Sequence, residues 1–138
     1  MASKSTKQRI AIIGGLRTPF VRSSGVFKTM STLDLAKAVV TELIERTNLD
    51  RNQIDQLVYG QVVPSIDGPN VAREIVLGAG LPRKIDAFSV VRACATSTQA
   101  LVSAAQAILC GDAQVAICGG ADSVSRPPVT YSDRMIEI

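Results

Sequence analysis

Four short apolar segments recur along the chain, at residues 10–14, 57–63, 87–91 and 114–120. Nearly continuous apolar runs of this length are typical of strands that are buried on both faces of a parallel sheet. The stretches between them are longer and mix polar with apolar positions. The pattern therefore predicts alternating strands and helices, and a layered α/β domain with a mostly parallel sheet and helices on both of its faces.

Three of the intervening stretches have the features of helices. The first begins at Ser31 or Thr32, and the second is capped by Asn70, since both positions carry the short polar side chains that favour helix starts. The third, residues 93–110, contains no charged residue and precedes Gly111. We expect this third helix to be buried on most sides. The apolar faces predicted for the first two helices comprise Leu33, Ala36, Val39, Val40, Leu43 and Ile44, and then Val71, Ile75 and Val76.

Composition and charge indicate an ordered globular protein and argue against a nucleic-acid-binding one. A chain of 138 residues with 46% hydrophobic and 20% charged residues has the size and composition of one ordered globular domain. Aromatic residues make up only 4%, which argues against a surface that stacks nucleic-acid bases. The first 33 residues hold six basic and no acidic side chains. We interpret residues 1–9 as a flexible basic tail, although a short transit peptide has a similar composition.

The cysteines and the absence of histidine restrict the chemistry further. Cys94, Cys110 and Cys118 form no C-x-x-C pair, and the sequence contains no histidine. A disulfide framework and a zinc site are therefore both disfavoured, and a reducing, cytoplasmic or matrix-like compartment fits best. No apolar run reaches the roughly 20 residues that span a bilayer, so we predict no transmembrane segment.

Cys94 is the candidate catalytic residue. It follows the third predicted strand and lies at the start of the third predicted helix, where unpaired backbone N–H groups and the helix dipole stabilise a thiolate. This arrangement parallels the nucleophile elbow of hydrolases, although the Gly-x-Ser-x-Gly signature is absent. A single cysteine at a helix start is more often a buried structural thiol. Taken by itself, the position leaves both interpretations open.

Longer motifs around Cys94 resemble those of a known family. Residues 91–97 read Val-Arg-Ala-Cys-Ala-Thr-Ser, and residues 119–123 read Gly-Gly-Ala-Asp-Ser. Together with Arg-Thr-Pro-Phe at residues 17–20 and the segment 126–134, they resemble the thiolase family, and most closely its 3-ketoacyl-CoA thiolase branch in fatty-acid β-oxidation. The resemblance runs from about Gln8 to the end of the sequence.

The resemblance implies a mechanism and a domain organisation. Cys94 would attack a 3-ketoacyl-CoA, release acetyl-CoA and hold the remaining acyl group as a thioester, which a second CoA would accept. Coenzyme A would be a substrate, with no permanently bound cofactor and no metal. Residues 10–122 would form an N-terminal thiolase half-domain, and residues 123–138 would begin the loop segment over the active site. The protein would be a homo-oligomer, with the α subunit of a β-oxidation multienzyme complex as a possible partner.

The chain departs from the family pattern in one important respect. In thiolases a histidine and a second cysteine from a C-terminal half complete the site, and neither Cys110 nor Cys118 lies in the matching motif. We interpret both as structural thiols and expect the isolated 138-residue chain to be inactive. Two alternatives stay open, namely a non-catalytic dimerising module with a thiolase-like half-fold, and a condensing enzyme of the ketoacyl synthase type.

Overall fold

A central three-stranded parallel sheet organises the computed structural model, which describes residues 9–66, 68–132 and 135. The strands are β1 (Gln56–Gly60), β2 (Asp86–Val90) and β3 (Ala116–Gly120). They lie in the order β2-β1-β3, and the register places Gly60 beside both Val90 and Gly120. The three carboxyl ends therefore meet at one edge of the sheet.

Helices cover both faces of this sheet, as the sequence predicts. The helices are α1 (Thr32–Thr47), α2 (Val71–Gly78) and α3 (Thr96–Cys110), with a short 3-10 turn at Arg51–Gln53. Successive side chains of a strand point to opposite faces, and β1 obeys this rule. Leu57 and Tyr59 pack in the core that contains α1 and α2, whereas Val58 packs against α3. The result is a three-layer α/β domain.

The first two helices begin where their capping residues predict. The Ser31 hydroxyl accepts a hydrogen bond of 3.1 Å from the Asp34 N–H, and the Asp34 carboxylate accepts one of 3.0 Å from the Ser31 N–H. This reciprocal capping box satisfies two backbone donors that the helix itself cannot. Asn70 accepts from the Arg73 N–H at 3.1 Å and also donates to the Ala87 carbonyl at 3.1 Å. Asn70 thus caps α2 and links it to β2.

The prediction of a buried first strand at residues 10–14 is wrong. The structure assigns no strand to this segment, and Ile12 and Ile13 are 76% and 85% exposed. Its end lies beside the last turns of α1, where a Cβ built on Gly14 would be 3.2 Å from Thr47 Cγ2. A strand needs a neighbouring strand for its backbone groups, and none of the residues that the structure describes pairs with this segment.

The other three strands are found close to their predicted positions: β2 is shifted by one residue from the predicted 87–91, whereas β1 and β3 are shorter than predicted. β1 ends at Gly60, so Gln61 to Val63 leave the sheet, and β3 begins at Ala116 rather than Gln114. Gln61 remains buried, while Val62 and Val63 are exposed. Residues 1–8, and the end of the predicted loop segment at residues 133, 134 and 136–138, lie outside the described residues.

Helix α3 ends at Gly111, as predicted, but it is not buried on most sides. Only Thr96, Ala100 and Ala104 are buried in it, and its opposite face exposes Leu101, Val102 and Leu109. Within the described part of the chain, Ala93–Cys110 is the one segment long and apolar enough to cross a membrane, with a mean hydropathy of 1.2. The core helix of a soluble protein can have the same length and composition.

Candidate active site at the carboxyl edge of the sheet

Cys94 lies on a tight turn between β2 and α3. The turn is closed by hydrogen bonds from the Ala95 N–H to the Arg92 carbonyl at 3.0 Å and from the Thr96 N–H to the Ala93 carbonyl at 3.1 Å. Ala93 has a φ of 44°, in the left-handed region that residues with a Cβ rarely adopt. The Cys94 side chain is exposed. The turn therefore presents the thiol to solvent, as the sequence predicts.

The hydroxyl of Thr96 forms two hydrogen bonds with the backbone of this turn. It accepts a hydrogen bond of 2.8 Å from the Arg92 N–H and donates one of 2.7 Å to the Ala93 carbonyl. Thr96 is only 3% exposed, so water does not compete freely for these groups. One buried side chain thus fixes the backbone on the N-terminal side of Cys94.

Two glycines at the ends of β1 and β3 let the start of α3 approach the sheet. A Cβ built on Gly60 would be 2.1 Å from Thr96 Cγ2, and one built on Gly120 would be 2.4 Å from Ser97 Oγ. Real Cβ atoms do not approach other heavy atoms so closely. The sequence analysis missed Gly60 and used Gly120 only as part of a family motif. Gly120 ends the apolar run 114–120, whereas Gly60 lies inside the run 57–63, where a glycine within a predicted strand is the signal of a close backbone approach.

The N-terminus of α3 differs from those of the other two α-helices in its capping. Ser31 and Asn70 accept hydrogen bonds from the first turns of α1 and α2, whereas Ala95 makes no side-chain cap hydrogen bond to α3. A helix leaves its first N–H groups without intrahelical partners, and they carry partial positive charge. The start of α3 is therefore open to an adjacent anion such as a Cys94 thiolate.

The Gly-Ala-Asp-Ser motif after β3 ties three segments of the same edge together. The Asp122 carboxylate accepts hydrogen bonds from the N–H groups of Val62 at 2.9 Å and Val63 at 3.0 Å. Ser123 donates its hydroxyl to the Met30 carbonyl at 2.7 Å, and its N–H donates to the Thr32 hydroxyl at 3.1 Å. The motif joins the loop after β1 to the start of α1, and its observed contacts are structural.

A cavity of about 480 Å³ opens on the α1 and α2 side of this edge. Gln61 lines it, is 1% exposed, and has no hydrogen-bond partner for its side-chain amide among the described residues. Cys94 does not line this cavity, and neither does the Arg17–Phe20 loop. That loop is largely exposed, and within the described residues the Arg17 side chain donates to the neighbouring Thr18 carbonyl at 3.0 Å. Neither the basic loop nor Cys94 therefore contributes to this cavity.

The other two cysteines occupy different environments. Cys118 lies in β3 on the face covered by α3, and partial burial raises the pKa of its thiol. Cys110 is the last residue of α3 and is exposed, so it lies at the negative end of the helix. Among the residues that the structure describes, no side chain hydrogen-bonds to the Cys94 thiol, and the chain offers no histidine to act as its base.

The fold and the site together define an α/β domain that presents a thiol at a strand-to-helix turn. Comparison with known proteins identifies its family. The family model for the N-terminal domain of thiolase matches residues 10–137, and the chain belongs to the thiolase family. The three-layer arrangement expected from the resemblance is therefore confirmed.

Named relatives and solved structures agree with this assignment. The chain is 51% identical over 127 residues to a 3-ketoacyl-CoA thiolase of Pseudoalteromonas translucida, covering 92% of this chain and 29% of that protein. It is 52% identical over 128 residues to a 3-ketoacyl-CoA thiolase of Shewanella denitrificans, covering 93% and 29%. The chain thus spans less than a third of the length of these relatives.

Two crystal structures of family members have the same fold over most of this chain. An acetyl-CoA acetyltransferase of Bacillus anthracis matches with a TM-score of 0.77 and 28% identity, covering 81% of this chain and 28% of that one. A thiolase from Ascaris suum, solved in complex with coenzyme A, matches with a TM-score of 0.76 and 26% identity, covering 80% and 29%.

Proposed function

We propose that this chain is the N-terminal part of a 3-ketoacyl-CoA thiolase and that Cys94 is its acyl-carrying nucleophile. One observation carries the proposal: the motif that contains Cys94 forms an exposed turn at the uncapped start of α3, in a chain about half identical to relatives with this name. We also propose that residues 10–122 form the half-domain and that residues 123–138 begin the loop segment. The compartment proposed is the cytoplasm.

The proposed thiolytic cleavage has two steps, first acyl transfer to Cys94 and then acyl transfer to CoA. The Cys94 thiolate attacks the 3-keto carbon of the acyl-CoA, the bond between carbons 2 and 3 breaks, and the electron pair leaves as the enolate of acetyl-CoA, which takes up a proton. The thiolate of a second CoA then attacks the Cys94 thioester, forming a shortened acyl-CoA and regenerating the Cys94 thiolate.

The open N-terminus of α3 supports the role of Cys94 in both steps. Backbone N–H groups at a helix start stabilise a thiolate as attacking group and as leaving group. The chain contains no histidine, and we propose that the proton donor and the base that deprotonates CoA belong to the C-terminal half that the resemblance to thiolases implies. We accordingly expect no turnover from the 138 residues alone.

The test uses the protein produced with its natural downstream sequence. We expect it to turn over 3-ketoacyl-CoA repeatedly only when CoA is present, and without CoA to release at most one acetyl-CoA per Cys94, with formation of acetyl-CoA followed by chromatography. Cys94→Ala should lower this rate by at least about a thousandfold, since it removes the nucleophile. Cys110→Ala is the matched control, because this thiol is exposed at the opposite end of the same helix, and it should stay within about twofold of the wild type.

The alternatives give different results in the same experiment. A condensing enzyme of the ketoacyl synthase type would lengthen an acyl chain and would not form acetyl-CoA from a 3-ketoacyl-CoA and CoA. A non-catalytic module would turn over neither substrate, and Cys94→Ala would change nothing. Retention of thiolytic turnover in Cys94→Ala would refute the proposal.

We further propose that the protein acts as a homo-oligomer and that the α subunit of a β-oxidation complex is a candidate partner. The outer edge of β2 supports self-association, since among the described residues β2 pairs with β1 alone and an unpaired strand edge is a template for another strand. Light scattering of the longer protein, alone and with that subunit, tests both statements. A monomer that does not bind the subunit would refute them.

A further inference from the structure

We propose that Thr96 is a positioning residue, whose buried hydroxyl sets the backbone conformation that directs Cys94 toward the start of α3. The proposal rests on the proposed function for the statement that Cys94 is the nucleophile. Thr96 acts through the turn and is not itself a group that touches the substrate.

The Cys94 turn needs support because its backbone is strained. Ala93 has a φ of 44°, and a residue with a Cβ keeps such a conformation only when the surrounding structure enforces it. The two hydrogen bonds of the Thr96 hydroxyl, at 2.8 Å to the Arg92 N–H and 2.7 Å to the Ala93 carbonyl, hold the backbone groups next to the strained residue. Thr96 therefore stabilises the conformation that it borders.

The other end of Thr96 is anchored in the sheet. Its Cγ2 lies so close to the backbone of Gly60 that no Cβ fits there, and its relative exposure is 3%. The methyl group thus fixes the side chain while the hydroxyl holds the turn. A valine at this position keeps the shape and removes the hydroxyl, whereas a serine keeps the hydroxyl and removes the methyl group.

The orientation of the Cys94 thiol depends on the dihedral angles of residues 93–95. A thiolate is stabilised by the α3 N-terminus only over about one helical turn, because the field of the helix end falls off over that distance. If the Ala93 carbonyl and the Arg92 N–H lose their partner, the turn relaxes and the thiol moves relative to the first N–H groups of α3. We therefore expect the reactivity of Cys94 to depend on the Thr96 hydroxyl.

The experiment measures alkylation of each cysteine in the folded 138-residue chain by iodoacetamide, with peptide mass spectrometry. Cys110 in the same molecule is the internal standard, since it is exposed and lies at the far end of α3. In the wild type, we expect Cys94 to react faster than Cys110 and faster than in the urea-unfolded chain. Thr96→Val should lower the ratio of the Cys94 rate to the Cys110 rate roughly tenfold, which is the effect expected when the displaced Cys94 thiolate loses one hydrogen bond from a backbone N–H group of α3.

Two further variants separate positioning from general stability. Thr96→Ser should keep the ratio within about threefold of the wild type, since it restores the hydroxyl. Thr98→Val removes an exposed hydroxyl from the same first turn of α3 and should leave the ratio unchanged. An unchanged ratio in Thr96→Val, or an equal loss in Thr96→Ser, would overturn the proposal.

Hydrogen exchange provides a test that needs no variant to fold. The Arg92 amide donates to the buried Thr96 hydroxyl, so we expect its proton to exchange more slowly in the wild type than in the urea-unfolded chain by at least about tenfold. Unprotected exchange of this amide would refute the hydrogen bond and the proposal with it. Neither measurement requires turnover, so failure here is distinct from failure of the thiolase assignment, which the Cys94→Ala assay decides.

Discussion

Replacement of Gly60 by alanine tests whether the sheet determines where α3 begins. The added Cβ would lie 2.1 Å from Thr96 Cγ2 and 2.6 Å from the Val90 carbonyl oxygen. Thr96 cannot turn away without breaking the two hydrogen bonds of its hydroxyl. The Val90 carbonyl belongs to the strand paired with Gly60, so it cannot move without separating the strands.

The cost follows from these contacts. Overpacking a well-packed site costs about 1–3 kcal/mol, and the displaced Thr96 hydroxyl adds about 1 kcal/mol for each net hydrogen bond that is lost. Alanine lowers the conformational entropy of the unfolded chain relative to glycine, and this effect offsets about 0.4–1 kcal/mol of the lost stability. We expect Gly60→Ala to lower the free energy of unfolding by about 3 kcal/mol, a large part of the roughly 5–15 kcal/mol typical of a domain.

The assay is urea denaturation followed by circular dichroism. A loss of about 3 kcal/mol corresponds to a midpoint lower by roughly 1–2 M urea, given slopes of about 2 kcal/mol per molar for small proteins. Gly15→Ala is the matched control, because a Cβ there meets nothing within 4 Å, and it should stay within about 0.5 kcal/mol of the wild type. If Gly60→Ala unfolds at the same urea concentration as Gly15→Ala, Thr96 does not lie in close contact with Gly60, and the reasoning is refuted.

Two predictions concern the pH dependence of stability. Hydrogen bonds from the N–H groups of Gln114 and Val115 hold the pKa of Asp55 below its usual value of 3.8. The ionised Asp55 carboxylate therefore stabilises the folded state above pH 3.8, and this stabilisation is lost as the pH falls through the lower pKa of the folded state. Urea midpoints at about pH 5 and pH 2.5 should therefore differ less in Asp55→Asn than in the wild type, and equal differences would contradict the role of Asp55. Burial raises the pKa of Tyr59 to about 12. The stabilisation of the folded state by the neutral Tyr59 side chain is therefore fully present below the ordinary pKa of 10.0 and is lost as the pH rises toward 12. Tyr59→Phe should lose less stability than the wild type between about pH 9 and pH 11, and a tyrosine absorbance titration that ends near pH 10 would show that Tyr59 is not buried.

The sequence predicts well those features that depend on nearby residues. Ser31 and Asn70 mark the starts of α1 and α2 because an N-cap satisfies backbone groups only two or three positions away. The placement of Cys94 at the start of α3 is correct for a similar reason, since an apolar run that ends before an uncharged helical stretch locates the turn between them.

The errors concern contacts between distant segments. Residues 10–14 are as apolar as the segments around β1 and β3, but a strand also needs a neighbour, and hydrophobicity does not reveal whether one is available. Similarly, the uncharged surface of α3 predicts burial on most sides, yet only the face toward the sheet is covered within this chain. The hydrogen bonds of Thr96 depend on a turn conformation that no local pattern specifies.

The face of α3 toward the sheet explains how the fold positions Cys94. Thr96, Ala100 and Ala104 recur at intervals of four residues, so they form one line along the helix, and they are the residues of α3 that are buried. Ala100 and Ala104 pack on Val58 in the middle of β1, and Thr96 reaches Gly60 at its end. Side chains this small let the whole helix lie close to β1. A larger residue at any of these positions would tilt or lift α3 and carry the Cys94 turn with it, so the location of the thiol is a consequence of how tightly α3 packs on the sheet.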